Sequence, residues 1–406
     1  MFGVNRTALT AATTIADALA DPQILRHEPL SGRARPQSLA GGAVGIALLH
    51  IERARTGHGD EARVHAWLTH AASEPISAGP NANLFHGAPA LGFALHTAAM
   101  PRYRRALAAL DDKTTTLTRT RLATAHARIG RGDRLQMREF DLIHGLTGLG
   151  VYHLHRHPTH PITGEVISYL TRLTQSPGGT DDLPPWWMPV GLSGEPDSDF
   201  PLGHGNLGIA HGISAVLALL SLAILHDIPT ASLQDAVARL CGWTDQWRTD
   251  EPAGTWWPGY LTIEQARSLA PPHRPRPSWC YGISGTARAQ QLAGLALGDT
   301  ARQHAAEAAI LATLRNPAQL ALLPGIGLCH GQAGLLQSAL RTAVDARNTA
   351  IAAELPDVAT HLSAQLAQPI TDPELMDGAA GAALALHAFG TGATPVSPWD
   401  AVLLLG

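Results

Sequence analysis

The chain has 406 residues, 45% of them hydrophobic and 15% charged, with a formal net charge of −4. It is long enough to bury a sizeable core, and no global basic field points to nucleic acid as a partner. Three cysteines in so long a chain argue against a disulfide framework, and neither a signal peptide nor an apolar run of about 18 residues for a transmembrane segment stands in it. The expectation is a cytoplasmic protein in a reducing compartment. Lys113 is the one lysine among 29 basic residues. That bias fits a GC-rich bacterial genome and says nothing of function.

Read from the N-terminus, the chain repeats one pattern: a short motif ending in Gly, then an apolar stretch of helical period. The copies are AGGAVGIALLH from Ala40, FHGAPALGFALH from Phe85, IHGLTGLGVYHL from Ile143 and AHGISAVLALL from Ala210. CYGISGTARAQQ from Cys280, CHGQAGLLQSAL from Cys329 and MDGAAGAALALH from Met376 complete the seven. Their anchors are Gly42, Gly87, Gly145, Gly212, Gly282, Gly331 and Gly378, spaced 45, 58, 67, 70, 49 and 47 residues apart. Five copies read G-x-x-G; Ala90 and Ala215 stand at the second position of the others. That position therefore demands small size rather than unusual backbone angles.

Between the motifs lie further helical signals, such as SLQDAVARLCGWTDQW from Ser232 and DTARQHAAEAAILATL from Asp299. Each repeat predicts a helix, a loop and a second, strongly apolar helix. Hairpins this apolar bury themselves by closing into a ring. The expected fold class is all-α, an α/α toroid of seven helix-hairpin repeats, as one domain over 1–406. Two long loops rich in Pro, Gly and Trp, near 177–206 and 251–279, interrupt the pattern, either lining a mouth above the ring or packing on it. Strand signals are sparse, and Thr114 to Thr118 is the best short candidate.

In such a ring the motif ends converge on one face. The residues before the shared glycines then cluster: His86, His144, Ala210, His211, Cys280, Tyr281, Cys329, His330 and Asp377. Cys280 and Cys329 occupy the same aligned column, two residues before their glycines. Zinc takes thiolate and imidazole ligands in tetrahedral geometry, and a catalytic site keeps one position open. Cys280, Cys329 and His330 supply two sulfurs and a nitrogen. A thiol entering the fourth position would ionise and stay nucleophilic. Spacing alone is also compatible with two core cysteines beside a helix-start histidine; the shared register favours the metal. Cys241 falls in a partner helix and reads as core.

SWCYG, LCHGQAG, NLGIAHG and the D-x-x-x-G of DLIHGLTG resemble the lanthipeptide cyclases, the LanC family, over essentially the whole chain. The resemblance implies an α/α toroid carrying one Zn2+ on Cys280, Cys329 and His330. It implies addition of a peptide Cys thiol to dehydroalanine or dehydrobutyrine, forming lanthionine or methyllanthionine thioether rings for antibiotic biosynthesis. Acid–base residues of the family map onto His211 and Asp141, and its arginine onto Arg276. Its Tyr and Trp flanking the first cysteine map onto Tyr281 and Trp279, the latter expected at the substrate. The implied partners are a dehydrated precursor peptide, a lanthipeptide dehydratase and an exporter, with membrane association only through such partners.

Elementary chemistry makes sense of these assignments. Conjugate addition needs a thiolate, relief of charge on the developing enolate and a proton for the α-carbon. Arg276 suits the second need as a fixed cation. His211 suits proton transfer near neutral pH, with Asp141 holding its tautomer or transferring protons itself. The competing reading is a non-catalytic LanC-like zinc protein that binds glutathione or a protein partner. A prenyl-diphosphate enzyme would need a basic cluster, and a glycosidase a pair of facing carboxylates; the motifs offer neither.

Overall fold

The computed structural model describes residues 3–27, 36–175 and 183–406. Every motif glycine precedes a helix: α1 (Ala43–Arg55), α2 (Ala88–Ala98), α3 (Leu146–Arg156), α4 (Ile213–Leu225), α5 (Ile283–Leu297), α6 (Gln332–Ala346) and α7 (Ala379–Thr391). These helices are apolar around most of their circumference and buried to match; α4 hides every residue from Ile213 to Ala223. A helix of that kind needs cover on all sides. The helices between the motifs are amphipathic and provide it. Pro161–Gln175 buries Ile162, Val166, Ile167, Leu170 and Leu173, the three-and-four spacing of one apolar stripe. Each such side chain contributes about 1.5–3 kcal/mol on burial.

The G-x-x-G spacing has a steric origin. A Cβ on Gly334 would lie 2.0 Å from the Leu328 carbonyl oxygen, and one on Gly381 would lie 1.9 Å from that of Leu375. In both repeats the carbonyl six residues earlier lies against the first turn of the helix. The entering loop thus folds back onto the helix it feeds, at a range only a very small residue allows.

The chain divides into two compact units. One comprises Met1–Thr114, Pro277–Trp279 and Thr313–Gly406. In it α1 packs on Glu61–Ala71, α2 and α7, while α7 also packs on Arg6–Ala18 and α6 on Thr349–Leu366. Buried carboxylates tie distant parts of this unit. Glu52 accepts from the Val396 and Ser397 amides at 2.9 and 2.8 Å, and Asp400 accepts from Arg341 at 2.7 Å and Gln337 at 2.6 Å. The other unit comprises Thr115–Arg276 and Cys280–Ala312. There α4 packs on α3, α5 and Leu233–Asp245, and α3 packs on Pro161–Gln175. Glu139 accepts from both Arg128, at 2.7 Å, and the Tyr169 hydroxyl, at 2.6 Å.

Thr114 to Thr118, the expected strand, lies inside the helix Arg104–Arg131. Propensity is a weak prior, and a long helical context overrides a short β-branched run. The threonine hydroxyls join the helix instead, as where Thr120 Oγ1 donates to the Thr116 carbonyl at 3.0 Å. Among the described residues the one sheet pairs β1 (Gly205–Asn206) with β2 (Tyr260–Leu261), antiparallel. This ladder ties the loop expected near 177–206 to the one near 251–279. Residues 177–182 of the first lie outside the described residues.

Candidate active site

Asp141 follows the short helix Met137–Phe140 and opens the turn into α3. Its carbonyl accepts from the amides of Gly145, at 3.1 Å, and Gly148, at 3.4 Å. A Cβ on Gly145 would lie 2.4 Å from the Asp141 nitrogen, which explains the glycine of D-x-x-x-G. The carboxylate is wholly buried. Oδ1 accepts from the His144 amide at 2.8 Å, and Oδ2 accepts from His211 Nδ1 at 2.6 Å. His144 Nδ1 reaches the same Oδ2 at 3.4 Å. Burial alone would raise the Asp141 pKa, but the hydrogen bonds and charge of the two histidines hold it below the ordinary carboxylate value. The carboxylate is therefore ionised at neutral pH. The two imidazoles stack with centroids 5.7 Å apart and planes 18° apart.

His211 stands at the mouth of α4, on a loop whose course is fixed by Asn206 and Cys280. The Asn206 side chain accepts from the Gly208 amide at 2.9 Å, and the Cys280 carbonyl accepts from the amides of Ile209 at 2.9 Å and Ala210 at 3.2 Å. Gly208 and Gly259 have no room for a Cβ beside Cys280 and Tyr281. Those contacts bring the Tyr281 ring to 6.1 Å from His211, tilted by 31°. The structure thus brings His211, Asp141 and Tyr281 together, with Cys280 on the same loop.

Cys329 and His330 open α6. The Cys329 amide donates to the Met376 carbonyl at 2.9 Å, and Gly327 lies close against the Asp377 backbone. His330 Nδ1 lies 3.3 Å from Asp377 Oδ1. A histidine that gives Nδ1 to a carboxylate keeps Nε2 for a metal. Two groups of side chains among the described residues are candidate metal ligands: Cys280 with Cys329 and His330, and Asp141 with His144 and His211. Cys241, by contrast, is core: burial pushes its thiol up to about 11, unsuited to a thiolate ligand.

Other expected residues fall differently. Trp279 is fully buried, and its Nε1 donates to the Leu403 carbonyl at 2.9 Å. It anchors the loop before Cys280 and offers no surface to a substrate. Arg276 is exposed and makes no side-chain hydrogen bond among the described residues. His204 is buried, with Nδ1 2.7 Å from the Val190 carbonyl oxygen, a structural tie. Arg121 was not foreseen: its guanidinium donates to the His144 carbonyl across 23 residues, a separation no motif marks.

These features define a class of protein. Residues 33–404 match the family described as Lanthionine synthetase C-like protein, and the chain belongs to that family. Nisin biosynthesis protein NisC of Lactococcus lactis subsp. lactis is 22% identical over 205 residues, which are 49% of this chain and 48% of that protein. The match thus spans about half the length of that relative. The solved structure of nisin cyclase aligns with a TM-score of 0.76 at 18% identity, covering 91% of this chain and 92% of its own. The shared fold is the expected all-α class, an α/α toroid.

Proposed function

We propose that this protein is a zinc-dependent lanthipeptide cyclase, forming lanthionine or methyllanthionine by adding peptide Cys thiols to dehydroalanine or dehydrobutyrine. The observation that carries the reading is the ligand group Cys280, Cys329 and His330. Two thiols and one imidazole suit a single Zn2+ with one coordination position left for substrate. Zinc held there would keep a substrate thiol ionised and nucleophilic near neutral pH.

The chain's own residues supply the remaining needs of the reaction. His330 would supply the nitrogen ligand, with Asp377 Oδ1 3.3 Å from its Nδ1 to orient the ring. His211, its Nδ1 given to Asp141, presents Nε2 for proton transfer to or from the reacting groups. Asp141 stabilises the imidazolium form and fixes the ring. Tyr281 flanks that ring, and exposed Arg276 is the cation available to an enolate oxygen. The substrate is a precursor peptide already dehydrated, so a dehydratase acts before this protein and an exporter after it. Among the described residues no helix is long and apolar enough to cross a membrane; the proposed setting is the cytoplasm.

The test incubates zinc-loaded protein with an enzymatically dehydrated Cys-containing peptide and then alkylates it. Ring formation removes alkylatable thiols without changing peptide mass. Cys280→Ala and Cys329→Ala are expected to lose zinc and ring formation together. A zinc-loaded wild-type protein that binds thiols such as glutathione but leaves every peptide thiol alkylatable would favour the non-catalytic alternative.

A further inference from the structure

We infer that His144 is a second acid–base residue of this site, paired with His211 on the single carboxylate of Asp141. The inference rests on the cyclase reading and adds a residue to it.

Both imidazoles direct Nδ1 at one oxygen, Asp141 Oδ2, at 2.6 Å from His211 and 3.4 Å from His144. Their rings are nearly parallel, 18° apart. Each ring thus gives Nδ1 to the carboxylate and keeps Nε2 for other chemistry. The His144 ring is not core filler, since its side chain is 41% exposed. Its backbone is nonetheless fixed at both ends, the amide on Asp141 Oδ1 and the carbonyl on Arg121.

The arrangement favours a divided role. Asp141 is the buried anion that both rings address, Arg121 is close enough to feel its charge, and the Tyr281 ring flanks His211. One carboxylate oxygen thus takes both rings, the shorter bond from His211 and the longer from the more exposed His144.

Conjugate addition needs a proton acceptor and a proton donor. The sulfur–Cβ bond forms as the Cα=Cβ π bond breaks, and its electron pair moves onto Cα and the adjoining carbonyl. The thiol proton passes to His144 Nε2, and His211 delivers a proton from Nε2 to Cα. The net change moves one hydrogen from sulfur to carbon. The histidine pair resets by exchange with water, and no redox partner is needed.

The test uses the full-length zinc protein and the dehydrated peptide. His144→Asn keeps an amide donor for Asp141 Oδ2, and His144→Ala opens a space for added imidazole. The expected result is a fall in cyclisation rate of about 10²-fold in both, with zinc content and melting temperature held. Added imidazole restores part of the rate in His144→Ala but not in His144→Asn. A His144→Asn protein with the wild-type rate and pH profile overturns the inference, as does a His144→Ala loss that imidazole never restores. A wild-type protein that does not cyclise removes the cyclase reading as well, so the two failures are distinguishable.

Discussion

His211 Nδ1 meets the wholly buried Oδ2 of Asp141 at 2.6 Å, a short hydrogen bond between residues 70 positions apart. It fixes one tautomer of the imidazole and leaves Nε2 to work. Asp141→Asn would replace the anion by an amide that cannot stabilise an imidazolium. The expected loss in ring formation is about 10²–10⁴-fold, measured at saturating peptide with zinc content checked alongside. Folding carries a second signature. The folded Asp141 pKa lies below its ordinary value of 3.8. Its contribution to stability is therefore full above that value and is lost as pH falls through the folded pKa. Thermal melts below about pH 4 should show the wild-type protein losing stability that Asp141→Asn never had.

Three buried histidines set the sensitivity at milder pH. His50, His153 and His387 are nearly inaccessible, each with Nε2 on a single partner: Leu19 O, Thr118 Oγ1 and Thr56 Oγ1. Burial lowers the first to about 4 and the other two to about 3. Below the ordinary value of 6.5 the unfolded chain binds protons there that the folded chain refuses. Stability should thus fall from about pH 6.5 toward the folded pKa values, by on the order of 1 kcal/mol per pH unit for each histidine. Urea unfolding between pH 7 and pH 5 measures the slope. His153→Gln with His387→Gln should flatten it; an unchanged slope would place the linkage elsewhere.

The motif end of each repeat was legible because its constraint is local. Gly334 and Gly381 touch carbonyls six residues earlier, so the same spacing recurs wherever the loop recurs. Cys280, Cys329 and His330 were legible through that register. The hydrogen-bond partners were not. Asp377 beside His330, Arg121 beside His144 and Asp400 beneath Arg341 come from different repeats, at separations that carry no pattern. Trp279 shows the opposite failure: its place beside a candidate ligand cysteine suggested substrate contact, while its size and indole N–H suit an anchor inside the fold. The threonine run of Thr114 to Thr118 misled because local preference was read without the helix around it.

Metal analysis separates the cysteines by role. Cys329→Ala and His330→Ala should each lose bound zinc, whereas Cys241→Ala, whose thiol sits in a partner helix, should retain it at about 1 kcal/mol of stability lost to the cavity. Stripping zinc with a chelator should lower the wild-type Tm, because a ligand bound by the folded state alone stabilises it in proportion to the logarithm of its excess over Kd. The Tm of Cys329→Ala should not respond to the chelator. Full zinc content in Cys329→Ala would remove the sulfur from the ligand set.

A motif glycine and a glycine between motifs make a matched pair of substitutions with opposite signs. In α7 a Cβ at Gly381 would lie 1.9 Å from the Leu375 carbonyl oxygen and 2.7 Å from a Leu328 methyl, and neither backbone nor packed leucine can yield cheaply. Gly381→Ala should therefore destabilise by about 1–3 kcal/mol, the range of overpacked cores. Gly164 lies inside the helix Pro161–Gln175 with nothing within 4 Å of its would-be Cβ. Gly164→Ala should stabilise by about 0.5–1 kcal/mol, from helix propensity and a less flexible unfolded chain. Denaturant midpoints for the two variants decide the matter. If both shifted the same way, the G-x-x-G spacing would reflect something other than the closeness of loop and helix.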